Sequence, residues 1–158
     1  MVNMSTFFQY PNLEPEGDEP KLMANFSEKD LQKIYAVGEV QQYAAGEIGV
    51  TEGADDTSLF IILEGTAEVL IPKRNGWYKL AALSPGGVFG ELSFFDRMPR
   101  SARVVALTDC NVLKISDSAF QHLRVHDTSL ALSLIQDLGK ILSHRLRRMN
   151  DLVQTLVK

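Results

Sequence analysis

Residues 85–106, PGGVFGELSFFDRMPRSARVVA, contain the side chains whose types and spacing are best suited to chemistry. Gly90 leaves a bare backbone in front of whatever lies beside it. Residues 91–95 suit a single helical turn, whose free N–H groups can face an anion. With the carboxylate of Glu91 and the guanidinium of Arg100, the segment predicts a small concavity in which both charges and several amides converge.

A cyclised phosphate on a ribose would match these groups. A guanidinium fork and backbone amides suit a phosphate with two free oxygens. The carboxylate of Glu91 would repel that phosphate unless it accepted a hydrogen bond from a neutral donor, and a ribose 2′-hydroxyl is such a donor. The alternative is that Glu91 and Arg100 form only a surface salt bridge, worth less than about 1 kcal/mol.

The elements that must position these groups follow from the rest of the chain. Its 158 residues are 45% hydrophobic, which supports one domain with a single core. We expect a flexible acidic N-terminal segment at 1–20, a helix and a β-barrel at 21–127, and a long helix at 128–158. The formal net charge of −4 excludes a basic surface over the whole domain, although a local basic patch stays open.

The middle of the chain has the short apolar runs and turn signals of an all-β domain, without a βαβ rhythm. Asn75-Gly76 is the sharpest hairpin signal. The fold class predicted is mainly β with flanking helices, as a jelly-roll-like β-barrel (a double-stranded β-helix) plus a long C-terminal helix. The predicted strands are 40–43, 47–50, 59–63, 66–71, 77–83, 102–106 and 111–115.

Three helices are predicted outside the barrel. Ser27 caps a helix that Gly38 ends, and Ser116 or Asp117 caps a second. The third runs from about 128 to 157 with a heptad seam broken only by Arg145. We expect this helix to close over the ligand and to form a parallel homodimer; a folded-back helix in a monomer is the alternative. The seam comprises Ile135, Leu138, Leu142, Arg145, Met149, Leu152 and Leu156.

The segment at 86–102 resembles the phosphate-binding cassette of cyclic-nucleotide-binding domains, as in catabolite-activator-type regulators and protein kinase A regulatory subunits. Phe89-Gly90-Glu91-Leu92-Ser93 and Arg100-Ser101-Ala102 match the two halves of the family pattern. Upstream, Phe60-Ile61-Ile62-Leu63 followed by Gly65 resembles an early barrel strand and its glycine turn. Asp56 departs from the pattern, because a small residue is more usual there.

The resemblance implies a sensor that binds a cyclic nucleotide, cyclic AMP in preference to cyclic GMP, with no further cofactor and no catalytic residues. Arg100 would bind the phosphate, and Glu91 would accept the ribose 2′-hydroxyl. Leu92 would belong to the apolar wall, and Asn150 could bond a purine edge. The amides facing the phosphate would be those of Gly90, Ser101 and Ala102.

Two other functions stay open at this point. A degenerate barrel could serve only for dimerisation or protein docking and bind no nucleotide. A metal-dependent barrel enzyme is disfavoured, because it needs histidines and a carboxylate on the strands. All three histidines, His122, His126 and His144, lie in the predicted C-terminal helices, so no metal site is expected.

The remaining expectations concern partners and location. The chain stops where the family's gene regulators continue into a DNA-reading domain, so we expect no direct DNA contact. The basic run at 144–148 is interpreted as a solvated helix face. No stretch reaches the ~18–20 apolar residues of a membrane span, so we expect no membrane contact and a cytoplasmic location. Cys110, the sole cysteine, is expected to be a buried, inert thiol.

Overall fold

The computed structural model describes residues 19–158, so most of the acidic segment predicted at 1–20 lies outside the described residues. Within that part the helices are α1 (Glu28–Val37), α2 (Glu91–Asp96), α3 (Asp117–His126) and α4 (Thr128–Leu156). The strands are β1 (Glu39–Tyr43), β2 (Ile48–Val50), β3 (Leu59–Glu64), β4 (Ala67–Lys73), β5 (Gly76–Leu83), β6 (Val88–Phe89), β7 (Arg103–Ala106) and β8 (Cys110–Ile115).

The strands form two antiparallel four-stranded sheets, in the orders β1-β8-β3-β6 and β2-β7-β4-β5. The mainly β class with flanking helices and a long C-terminal helix is confirmed. The hydrogen-bonded ladders do not close into one barrel in the described part of the chain; the two sheets instead pack face to face across a shared core. The β4–β5 turn is formed by Arg74 and Asn75, one residue earlier than predicted, and Gly76 (φ 116°) pairs with Lys73.

Strand β3 is buried on both faces, because it lies between the second sheet and the helices. Phe60 and Ile62 point into the core between the sheets, where the Phe60 ring stacks on Phe89 with 4.8 Å between centroids. Leu59 and Ile61 point the other way, into a core shared with the helices. Side chains alternate along a strand, so a run of four apolar residues serves two cores at once.

Helix α4 is buried in its first half and open in its second. Leu134, Leu138 and Ile141 are fully buried against the first sheet and α3, whereas Leu146 and Val153 are 63% and 46% exposed. Within the predicted seam, Leu138 lies in the domain's own core and Met149 is 37% exposed. Of the helices in the described part of the chain, none combines the length and apolar character that crossing a bilayer requires.

The chain enters the domain through residues 19–23, which we call the strap. Glu19, which belongs to the N-terminal segment predicted at 1–20, is only 8% exposed. Leu22 and Met23 are also buried, in the core beneath α4. The reason is tertiary: these residues are covered by side chains far along the chain, which local composition does not reveal.

Candidate functional site

The cassette is built around a sharp change of direction after β6. Gly90 has φ +79°, a left-handed conformation that costs other residues energy. A Cβ there would lie 2.6 Å from Nη1 of Arg100 and 2.7 Å from the carbonyl oxygen of Ser58. Glycine is therefore required at this position for conformation and for space. Helix α2 starts at the next residue and ends at Asp96, and its C-cap, Arg97, is also left-handed (φ +62°).

Arg100 is a buried cation at the base of the cassette, 5% exposed. Its Nη1 donates to the carbonyl of Gly90 (2.8 Å), and its Nη2 donates to the carbonyl of Ser58 (2.7 Å) and to Oδ2 of Asp56 (2.9 Å). Its Nε is buried and has no hydrogen-bond partner among residues 19–158. Because buried polar groups are nearly always paired, this cation keeps a hydrogen-bond donor that those residues do not use.

Asp56 holds the Arg100 guanidinium in place. One carboxylate oxygen accepts from Arg100, and the other accepts from the backbone N–H (3.1 Å) and hydroxyl (2.8 Å) of Ser58. Partial burial acts to raise the pKa of Asp56, but the bonds from Ser58 and Arg100 outweigh it, so the pKa lies below its ordinary value. The sequence marked this residue as a departure from the family pattern without assigning it a role.

Glu91 is the first residue of α2, and it is paired across the site with α4. The carboxylate is 9% exposed, and its Oε1 accepts a hydrogen bond from Nη1 of Arg145 at 2.7 Å. The polar residue that interrupts the α4 seam is thus explained, because its guanidinium reaches a carboxylate of the cassette. Arg145 also donates to the carbonyl of Val88 (2.9 Å) and to both oxygens of Glu19 (2.6 and 3.3 Å).

The charge of Arg145 is retained despite its partial burial. Desolvation acts to lower the pKa of this guanidinium, but hydrogen bonds and Coulombic attraction from Glu19 and Glu91 outweigh that effect and raise the pKa above its ordinary value. Arg145 therefore stays protonated and links three parts of the chain: the strap, the cassette and α4.

These groups surround one cavity of about 550 Å³, a volume within the range of small-molecule sites. Most of the charged and polar lining residues lie on the cassette, with Glu19 on the strap and Arg145 and Arg148 on α4, whereas β4 and β5 supply apolar side chains. The lining comprises Glu19, Val50, Val69, Leu80, Ala81, Leu83, Val88, Phe89, Gly90, Glu91, Leu92, Ser93, Arg100, Ser101, Ala102, Val104, Leu142, Arg145, Leu146, Arg148 and Met149.

Six of the seven predicted ligand-binding residues line this cavity: Gly90, Glu91, Leu92, Arg100, Ser101 and Ala102. Asn150 is exposed and does not line it, whereas Met149 does. Successive helical residues are turned by about 100°, so a one-residue error in helix phase is enough to separate them.

No group of three or more potential metal ligands occurs among residues 19–158. His122 and His126 stack on each other on α3, with 4.0 Å between ring centroids, and neither lines the cavity.

Residues 40–127 match the family profile described as the cyclic nucleotide-binding domain. The chain belongs to this family. Membership agrees with the buried Arg100 and Glu91 of the cassette, and the family is defined by nucleotide binding rather than by a reaction.

Relatives of this cyclic nucleotide-binding domain occur in larger proteins. The cAMP-dependent protein kinase regulatory subunit of Mycosarcoma maydis is 36% identical over 107 residues, 65% of this chain and 20% of that protein. Glutaminase 2 of Bradyrhizobium diazoefficiens is 32% identical over 138 residues, 87% of this chain and 22% of that protein. The chain therefore spans about a fifth of the length of these relatives.

A solved structure has the same fold. The crystal structure of a cyclic nucleotide-binding domain from Methylobacillus flagellatus superposes with a TM-score of 0.75 at 26% identity, covering 83% of this chain and 74% of that one. The similarity extends over most of the chain.

Proposed function

We propose that this domain binds cyclic AMP in the cavity between the cassette and α4, as a signalling sensor that catalyses no reaction. The observation that carries the proposal is the buried Arg100, which lines the cavity and whose Nε has no hydrogen-bond partner in the described part of the chain. Desolvating a guanidinium is costly, and an anionic ligand would supply the missing hydrogen bond and an opposite charge.

The proposed ligand contacts follow the polarity of the lining. The cyclic phosphate binds Arg100 and the amides of Gly90, Ser101 and Ala102. The ribose 2′-hydroxyl donates to Glu91, which the Arg145 contact already holds in the cavity. The base lies among the apolar side chains of the lining, with Leu92 in that wall.

Cyclic AMP is favoured over cyclic GMP because the relative from Mycosarcoma maydis is a cAMP-dependent regulatory subunit. The proposed role of Asn150 at the purine edge requires α4 to rotate as it closes, since this residue is exposed and Met149 lines the cavity. Because Arg145 connects α4 to Glu91, a ligand at Glu91 would shift the equilibrium between positions of α4.

The second half of α4 supports a proposed homodimer. Leu146 and Val153, seven residues apart and therefore on one helix face, are exposed there, and an amphipathic helix gains stability by burying such a stripe against a partner. We place the domain in the cytoplasm, where its free, buried Cys110 would remain reduced. We propose no direct DNA contact, in keeping with the net charge of −4.

Calorimetry with cyclic AMP and cyclic GMP on the wild type, Arg100→Ala and Arg103→Ala tests the proposal. Arg103 is the matched control because it lies outside the cavity, where it pairs with Glu52 at 2.9 and 3.0 Å and covers the Trp77 ring. Arg100→Ala should lose about 2–3 kcal/mol of binding free energy, and Arg103→Ala should bind as the wild type does. Undiminished binding by Arg100→Ala would reject the site, and no binding by the wild type would favour the docking-module alternative.

A further inference from the structure

A carboxylate from outside the matched family region lies in the cavity. Glu19 is 8% exposed, lines the cavity, and binds Arg145 through both oxygens, at 2.6 Å to Nε and 3.3 Å to Nη2. The matched region begins only at residue 40, so the resemblance assigns Glu19 no role. A buried carboxylate needs a strong partner, and here the partner is the same guanidinium that holds Glu91.

The strap that carries Glu19 is hydrogen-bonded on one side to the chain around the start of the cassette and on the other side to α4. Lys21 Nζ donates to the hydroxyl of Ser84 (3.0 Å), and the N–H of Leu22 donates to the carbonyl of Gly86 (3.3 Å), both in the loop that leads into the cassette. The N–H of Met23 donates to Oδ2 of Asp137 on α4 (3.1 Å). The position of Glu19 is thus coupled to the cassette on one side and to α4 on the other.

Two negative charges lie beside Arg145 in the cavity. Glu19 and Glu91 share this one guanidinium, so these three side chains together carry a net charge of −1, and the other cations of the lining are Arg100 and Arg148. In a partly desolvated cavity like-charge repulsion is stronger than in water. Arg145 also directs four hydrogen bonds to Glu19, Glu91 and the carbonyl of Val88, which leaves one of its five N–H groups for a ligand.

We propose that Glu19 is an autoinhibitory residue, an internal anion that competes with the anionic cyclic nucleotide for the cavity. Through Arg145 it joins the strap to α4 across the cavity, and ligand binding releases it. The inference rests on the proposed function, because Glu19 would compete with the ligand of that same cavity. It adds a residue of the N-terminal strap to the ligand-responsive machinery.

Glu19→Gln tests the proposal, because it keeps the shape and an acceptor oxygen while removing the charge. Glu28→Gln is the matched control: it removes the same charge from an exposed position in the first turn of α1. In calorimetry with cyclic AMP, Glu19→Gln should bind about tenfold more tightly than the wild type, and Glu28→Gln should match the wild type. Without ligand, amide hydrogen exchange at 145–156 should be faster in Glu19→Gln, because α4 loses its contact with the strap.

The outcomes separate this proposal from the proposed function. Binding by the wild type with an unchanged or weaker affinity in Glu19→Gln would overturn autoinhibition while leaving the sensor assignment intact. Unchanged hydrogen exchange in the ligand-free variant would overturn the strap contact as a restraint on α4. Absence of binding by both the wild type and Glu19→Gln would reject the cyclic-nucleotide assignment and, with it, the competitor role.

Discussion

Gly90 and Arg100 are ten residues apart in sequence and in direct contact: Nη1 of Arg100 donates to the carbonyl oxygen of Gly90 over 2.8 Å. The same nitrogen would lie only 2.6 Å from a Cβ at Gly90. The guanidinium therefore occupies the space that a side chain would need. The turn at the start of the cassette and the placement of its cation depend on each other.

Gly90→Ala should be destabilising and should weaken ligand binding. The left-handed conformation costs alanine about 1–2 kcal/mol, and the displaced Arg100 should bring the total to roughly 2–4 kcal/mol in the free energy of unfolding. Gly46→Ala is the control, because Gly46 has φ +86° and a Cβ added there would meet no atom within 4 Å. Urea denaturation of both variants checks this, and equal costs would show that the contact with Arg100 is not the cause.

Asp56→Asn should remove a pH-dependent part of the stability. The folded pKa of Asp56 lies below the unfolded value of about 3.9, so its contribution is complete above that pH and is lost as the pH falls through the folded pKa. The wild type should exceed Asp56→Asn by about 1 kcal/mol between pH 5 and 7, a figure reduced for solvent screening because the side chain is 43% exposed.

The check is denaturant unfolding of Asp56→Asn and wild type from pH 7 to pH 3. Asp55→Asn, an exposed neighbour, serves as the control. A difference between the wild type and Asp56→Asn that stays constant down to pH 3 would contradict the assigned ionisation.

Leu138→Ala should show how strongly the first half of α4 is fixed to the domain. Leu138 is fully buried in the core shared by α4 and the first sheet, so truncation should cost about 2–5 kcal/mol. Leu132→Ala, on the same helix and 56% exposed, should change stability by less than about 0.5 kcal/mol. Thermal or urea unfolding measures both, and similar losses would mean that α4 packs differently.

Val153→Glu tests the proposed homodimer. A carboxylate at this 46% exposed position would have to be desolvated in a helix–helix interface, so the dimer should weaken at least roughly tenfold. Gln154→Glu adds the same charge at the next exposed position. Sedimentation equilibrium at several concentrations should show that Val153→Glu is already dissociated at protein concentrations at which the wild type and Gln154→Glu remain dimeric. A monomeric wild type, or an unaffected Val153→Glu, would rule out this interface.

The elements and the cassette could be predicted because their causes are local. Ser27 and Ser116 cap their helices through hydrogen bonds three residues ahead, each 3.1 Å long. A continuous apolar run followed by Gly65 identified β3, and the spacing around Gly90 identified the cassette. Strand β6 was missed, because two residues contain no period. The rotation of α4 about its own axis could not be predicted to within one residue from the sequence. In the structure Met149, and not Asn150, lines the cavity.

The amino-acid sequence by itself determined which groups the cassette contains, because a glycine turn, a carboxylate and a guanidinium within one short segment are brought together by local backbone geometry. Only the tertiary structure decided which charged residues from distant parts of the chain pair with one another around the cassette. Asp56 meets Arg100 across 44 residues, Arg145 meets Glu91 across 54, and Glu19 meets Arg145 across 126. Such pairings depend on how sheets and helices pack, and a charged residue of unknown partner looks the same in sequence whether it faces water or a cavity.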